Sequence, residues 1–74
     1  MPKKTENELA NCLKQWRTAG SMTQQELADL VDVSRQTIIA IEKGRYNPTT
    51  VLALKIARVF ATAVEEIFWL NEDK

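Results

Sequence analysis

Arg35, Gln36, Ile39, Ala40 and Lys43 fall within the stretch "SRQTIIAIEKG", residues 34–44. In a helix, successive side chains are about 100° apart, so one stripe faces the core. With Ile38 at the centre of that stripe, Ile41 shares its side and Ser34 and Thr37 mark its margin. The five residues named first then cluster on the outward flank. An exposed isoleucine is ordinary by itself. An exposed isoleucine among a guanidinium, a carboxamide and an ammonium has a definite chemistry. Arginine matches guanine O6 and N7, glutamine matches adenine N6 and N7, and a branched apolar side chain packs on a thymine methyl. Ala40 is small enough to permit close approach. The flank is therefore suited to the edges and phosphates of a nucleic-acid duplex.

Other chemistries are poorly served. The chain has 74 residues, no histidine and one cysteine, Cys12. That inventory almost excludes metal centres, histidine bases and Cys/His nucleophile pairs, and no cofactor is expected. Glu65 and Glu66 are adjacent, diverge on a helix and have no catalytic companion, so they favour a helix N-terminus instead. No enzyme is expected. Ten Lys+Arg balance ten Asp+Glu. Attraction to phosphate must come from local placement, because net charge provides none. Neither a signal peptide nor a membrane span is read, and the lone thiol fits a reducing compartment, so a cytoplasmic location is expected.

The flank needs elements to hold it, and five short helices are predicted. The first opens at Thr5 with a capping box (Thr5 to Glu8) and carries Leu9, Leu13 and Trp16. The second opens at Thr23, again as Thr-x-x-Glu, with Leu27, Ala28 and Val31 inward. The third opens at Ser34 and closes at Lys43-Gly44. After the loop "RYNP", in which Pro48 disfavours helix at Asn47, the fourth opens at Thr49 with Ala53, Ile56, Ala57 and Phe60 inward. The fifth is "VEEIFWL", with Val64, Ile67 and Phe68 packing inward. One domain spans residues 1–74, with its paired-helix unit at about 24–43 and short flexible tails.

The second and third helices are joined by only "DVS". With Val33 plugging the turn and Ala28 at the crossing, "TQQELADLVDVSRQTIIAIEKGRYNPT" resembles the helix-turn-helix of the lambda-repressor-like family, the Cro/cI or xenobiotic-response-element class. The resemblance runs from about Leu9 to Phe68. It implies an all-α, compact five-helix domain that binds double-stranded DNA as a sequence-specific transcriptional regulator, with the third helix in the major groove. It also places Gln24 on a phosphate at a helix N-terminus. Ser34, Arg35, Gln36, Ile39 and Ala40 are implied to face the groove, and Lys43, Arg45, Tyr46 and Asn47 to lie along the backbone. Arg17 and Glu42 match positions that pair structurally. The chain departs from the family pattern at Ser21, Asp32 and Ala61, where glycine is common. Ala63 replaces a common serine, leaving Thr62 as the side chain available to cap the fifth helix.

Val51 and Leu54 project away from the fourth helix's inward face, and Trp69 and Leu70 follow Ile67 and Phe68. Converging, they would form an exposed apolar patch of the kind that marks an interface. The expectation is a two-fold homodimer through Val51, Leu54, Ile67, Trp69 and Leu70, a repressor reading a near-palindromic operator in a prokaryotic nucleoid. A toxin-neutralising role through the same patch is the weaker alternative, since no long tail is available to wrap a partner. An effector sensor is weaker still.

Overall fold

The computed structural model describes residues 8–71. In chain order its elements are β1 (Leu9–Asn11), α1 (Leu13–Ala19), α2 (Gln24–Val31), α3 (Arg35–Glu42), α4 (Thr50–Val59), α5 (Val64–Ile67) and β2 (Phe68–Leu70). Five helices dominate, as the sequence predicts, and the two short strands form one antiparallel pair.

Local signals account for the helix starts. Thr23 and Glu26 form a reciprocal capping box: Thr23 Oγ1 accepts from the Glu26 N–H at 3.0 Å, and Glu26 Oε1 accepts from the Thr23 N–H at 2.8 Å. Ser34 caps α3 by accepting the Thr37 N–H at 3.2 Å, and Thr49 caps α4 by accepting the Leu52 N–H at 3.1 Å. Gly44 follows α3 at φ 76°, where the absence of Cβ removes the steric penalty. There the Gly44 N–H bonds the Ile41 carbonyl and the Arg45 N–H bonds the Ala40 carbonyl, a Schellman closure. α1 and α4 close by the same two-bond pattern, with Ser21 and Ala61 in the glycine position at φ 58° and 53°. Asp32, after α2, is left-handed as well, at φ 64°.

Two boundaries differ from the sequence reading. Thr5 lies outside the described residues, as do both chain ends. Residues 9–11, read as the interior of a first helix, are a strand instead. It pairs in the register Leu9↔Leu70, Ala10↔Trp69, Asn11↔Phe68. The Cys12 N–H extends the ladder to the Ile67 carbonyl at 3.0 Å. Asn11 then starts the helix late: its Oδ1 accepts the Leu13 N–H at 3.0 Å, while its Nδ2 donates to the Ile41 carbonyl at 3.0 Å. The fifth helix likewise stops at Ile67, because Phe68–Leu70 is the partner strand. Ala63 precedes α5 without a side-chain cap, so Thr62 does not fill that role.

The core is one cluster. Leu13, Leu27, Ala28, Val31, Ile38, Ile41, Leu52, Ile56, Ala57, Ile67 and Phe68 are buried, with Trp16, Val33, Ala53 and Phe60 packed at its margin. Trp16 stacks obliquely on Phe60, and its Nε1 donates to the Glu66 carbonyl at 3.3 Å. Cys12 is half-buried, its thiol directed at the same carbonyl. Leu52, which the sequence reading did not assign, is buried on α4. No helix among the described residues is long and apolar enough to cross a membrane.

Candidate nucleic-acid interface

The orientation of α3 follows from its two buried isoleucines. Ile38 and Ile41 are 0% and 1% exposed, seated among Leu27, Ala28 and Val31 of the core cluster. Burying both fixes the helix's rotation and turns Arg35, Gln36 and Lys43 out, where all three are exposed. Ile39, expected to be exposed, and Ala40 lie between them and are only half-exposed, which corrects the sequence expectation for Ile39. Ser34 is exposed at the head of the helix, but its hydroxyl is engaged in the cap and lies 3.0 Å from Thr37 Oγ1. Arg45, Tyr46 and Asn47, in the loop beyond Gly44, are exposed as well.

A charged joint ties α1, α2 and α3 together behind this flank. Arg17 Nε meets Glu42 Oε2 at 2.6 Å and Arg17 Nη2 meets Glu42 Oε1 at 3.1 Å, a two-pronged pair whose side chains are 10% and 5% exposed. The third Arg17 nitrogen, Nη1, donates to the Met22 carbonyl at 2.9 Å. The pairing implied by the resemblance is therefore formed, and it holds the end of α1 and the loop after it against α3. Gln24 joins the same joint: its Nε2 donates to Glu42 Oε1 at 3.1 Å. A primary amide nitrogen has two N–H groups, so this bond leaves one for a ligand. The family resemblance placed Gln24 on a phosphate and did not reveal this bond.

Gln24 opens a concavity whose lining also includes Lys14, Thr18, Thr23, Gln25 and Arg35. Lysine and arginine line it, and among the described residues no carboxylate side chain does. The cap takes the Glu26 N–H, but the Gln24 and Gln25 N–H groups precede the first intrahelical bond of α2, and with the helix dipole they favour an anion there. Lys14 was missed in the sequence. Its place on α1, one turn before Arg17, was readable, but its proximity to Gln24 and Arg35 requires the loop geometry at residues 20–23.

A helix-turn-helix family model matches residues 13–67, which takes in α1 to α5 and both partners of the charged joint. The chain belongs to this helix-turn-helix family. It is 48% identical over 66 residues to an uncharacterized HTH-type transcriptional regulator of Methanocaldococcus jannaschii, covering 89% of this chain and all of that one. A second HTH-type regulator, from Archaeoglobus fulgidus, is 50% identical over 62 residues, covering 84% of this chain and 87% of its own. Among solved structures, the restriction-modification controller protein C.AhdI of Aeromonas hydrophila superposes with a TM-score of 0.68 at 31% identity, over 73% of this chain and 82% of that one. This chain is accordingly a transcriptional regulator with a DNA-binding helix-turn-helix of the Cro/cI-like type.

The helix-turn-helix regulator has a second exposed surface. Val51, Leu54, Trp69 and Leu70 are 63%, 56%, 44% and 65% exposed. Leu54, Trp69 and Leu70 line one groove, with Leu9, Pro48 and Ala53. Val51 continues it along α4 beside Leu54. Three of the four thus share one groove, and Val51 reaches it only through Leu54. Ile67 is a correction: it is 0% exposed, because α5 turns it into the core beside Phe68, and its side chain cannot join a surface contact.

Proposed function

We propose that the protein is a repressor that binds a near-palindromic operator as a homodimer, each copy laying the outward flank of α3 into a major groove. The burial of Ile38 and Ile41, which commits Arg35, Gln36 and Lys43 to the outside, carries this reading. Arg35 and Gln36 are assigned to guanine and adenine edges, Ile39 to a thymine methyl and Ala40 to close approach. Ser34 borders the groove. Gln24 takes a phosphate at the head of α2, with Lys14 beside it. Lys43, Arg45, Tyr46 and Asn47 follow the backbone beyond α3.

Dimerisation through Val51, Leu54, Trp69 and Leu70 would bury the apolar groove and support a core too small for large stability. Two recognition helices about 34–36 Å apart would then read half-sites one turn apart. Repression by occupying the operator needs no further domain, and residues 1–74 act as one unit in a prokaryotic cytoplasm, on the nucleoid. The similarity to C.AhdI, a restriction-modification controller protein, agrees with a small regulator of this kind.

Selection of bound duplexes from a random-sequence pool tests the proposal. Enrichment of a two-fold symmetric site with half-sites one helical turn apart is the expected result. Enrichment of a single asymmetric half-site would remove the dimeric operator, and no enrichment would remove sequence-specific binding.

A further inference from the structure

The acidic partner of Arg17 has a second bond that a purely structural ion pair does not require. Glu42 Oε1 accepts Arg17 Nη2 and Gln24 Nε2, each at 3.1 Å, while Oε2 takes Arg17 Nε at 2.6 Å. The carboxylate is 5% exposed, so it acts from behind the DNA-facing surface. Gln24 is half-buried and stands at the first position of α2, on the rim of the concavity shared with Lys14 and Arg35. A glutamine side chain has three rotatable bonds and loses their rotamer freedom when it is ordered.

We infer that Glu42 is a positioning residue for DNA binding: it holds the Gln24 carboxamide in advance, with one N–H on the carboxylate and the other presented to a phosphate. This rests on the phosphate contact proposed for Gln24. The orientation follows from hydrogen-bond polarity. A carboxylate only accepts, so it selects the nitrogen end of the amide. A phosphate also only accepts, so the same end faces both anions. Without Glu42 the amide is free to flip or rotate, and ordering it on binding offsets part of the contact's strength. Arg17 neutralises the carboxylate, which keeps Glu42 from repelling the phosphate it serves.

Two double variants separate this role from fold stabilisation. The aliphatic variant, Arg17→Met with Glu42→Leu, removes both charges together, a change that buried ion pairs often tolerate. The amide variant, Arg17→Met with Glu42→Gln, also removes both charges but keeps a side-chain oxygen able to accept from Gln24. Both are assayed on the duplex enriched from a random pool by the wild-type protein, synthesised with single uncharged methylphosphonates at successive positions. For the wild type, one phosphate per half-site should cost about tenfold in affinity when neutralised, the scale of one charge-assisted hydrogen bond. Gln24→Ala should reduce that penalty by the share its side chain supplies and leave the others unchanged.

The aliphatic variant should lose the Gln24-dependent part of this penalty selectively, and the amide variant should retain it. Retention of the full penalty in the aliphatic variant would overturn the positioning role while leaving the phosphate contact intact. Equal loss in both variants would also overturn it, since the retained oxygen would have done nothing. If no penalty depends on Gln24 in the wild type, the phosphate contact itself is wrong, and the inference falls with it. Circular dichroism and thermal melts confirm that both variants fold; if the aliphatic one does not, the comparison is made with Arg17→Met, Glu42→Met, and the same outcomes apply.

Discussion

Arg17 and Glu42, on α1 and α3, meet at 2.6 Å with both side chains almost withdrawn from solvent. Removing one partner strands the other charge in a region where water cannot compensate it, at a cost of about 3–5 kcal/mol. A domain of this size has a core contribution of the same order. Arg17→Ala alone should therefore be largely unfolded as a monomer at 25 °C, read by far-ultraviolet circular dichroism. A cooperative melt within a few degrees of the wild type would contradict this.

Ala61 ends α4 in the left-handed region, at φ 53°. A side chain there costs about 1–2 kcal/mol, partly offset by the larger entropy a glycine loses on folding. Ala61→Gly should stabilise by about 0.5–1 kcal/mol, raising the thermal midpoint. Asp32→Gly should gain less, because a short polar side chain tolerates this region better. A lowered midpoint for Ala61→Gly would show that the packing of the methyl group outweighs its strain.

Gln36 and Lys43 share the outward flank of α3 but are assigned different partners. Gln36→Ala should cost about 1–3 kcal/mol at one base pair of the selected site and relax the preference there. Lys43→Ala should weaken binding to every sequence alike and reduce the slope of log K against log salt by about 1. Titrations at several salt concentrations, with matched and mismatched duplexes, distinguish the two. A uniform loss for Gln36→Ala would move that residue from base to backbone.

Trp69 is 44% exposed beside the more exposed Leu54 and Leu70. A tryptophan at the centre of an interface commonly costs about 2 kcal/mol or more when truncated. Trp69→Ala should weaken self-association by more than tenfold in sedimentation equilibrium. It should also lower affinity for the two-half-site duplex more than for a single half-site. Unchanged sedimentation would exclude this surface as the dimer contact.

Much of the DNA-binding unit was legible from residues 23–49. Caps, turn length and the 3.6-residue period act within a few positions, so the starts of α2, α3 and α4 and the outward flank of α3 follow from neighbours along the chain. The same reasoning failed at Leu9 and Trp69. Leu9, Leu13 and Trp16 fit a helix by spacing, yet a strand forms where Leu9 meets Leu70. Ladder hydrogen bonds between opposite ends of the chain outweighed a local periodicity that has no means of registering them.

The charged joint shows the same division. The Arg17–Glu42 pair was legible only through the family resemblance, which matches these positions to residues that commonly pair; the structure adds that both partners are buried, where each charge needs the other. The Gln24 bond to Glu42, the Asn11 bond to the Ile41 carbonyl and the place of Lys14 beside Arg35 were not readable in that way. Each depends on how separately formed helices settle against one another. Short-range propensities specified the pieces and their faces; packing across long stretches of chain specified which polar groups meet and where the two end segments pair.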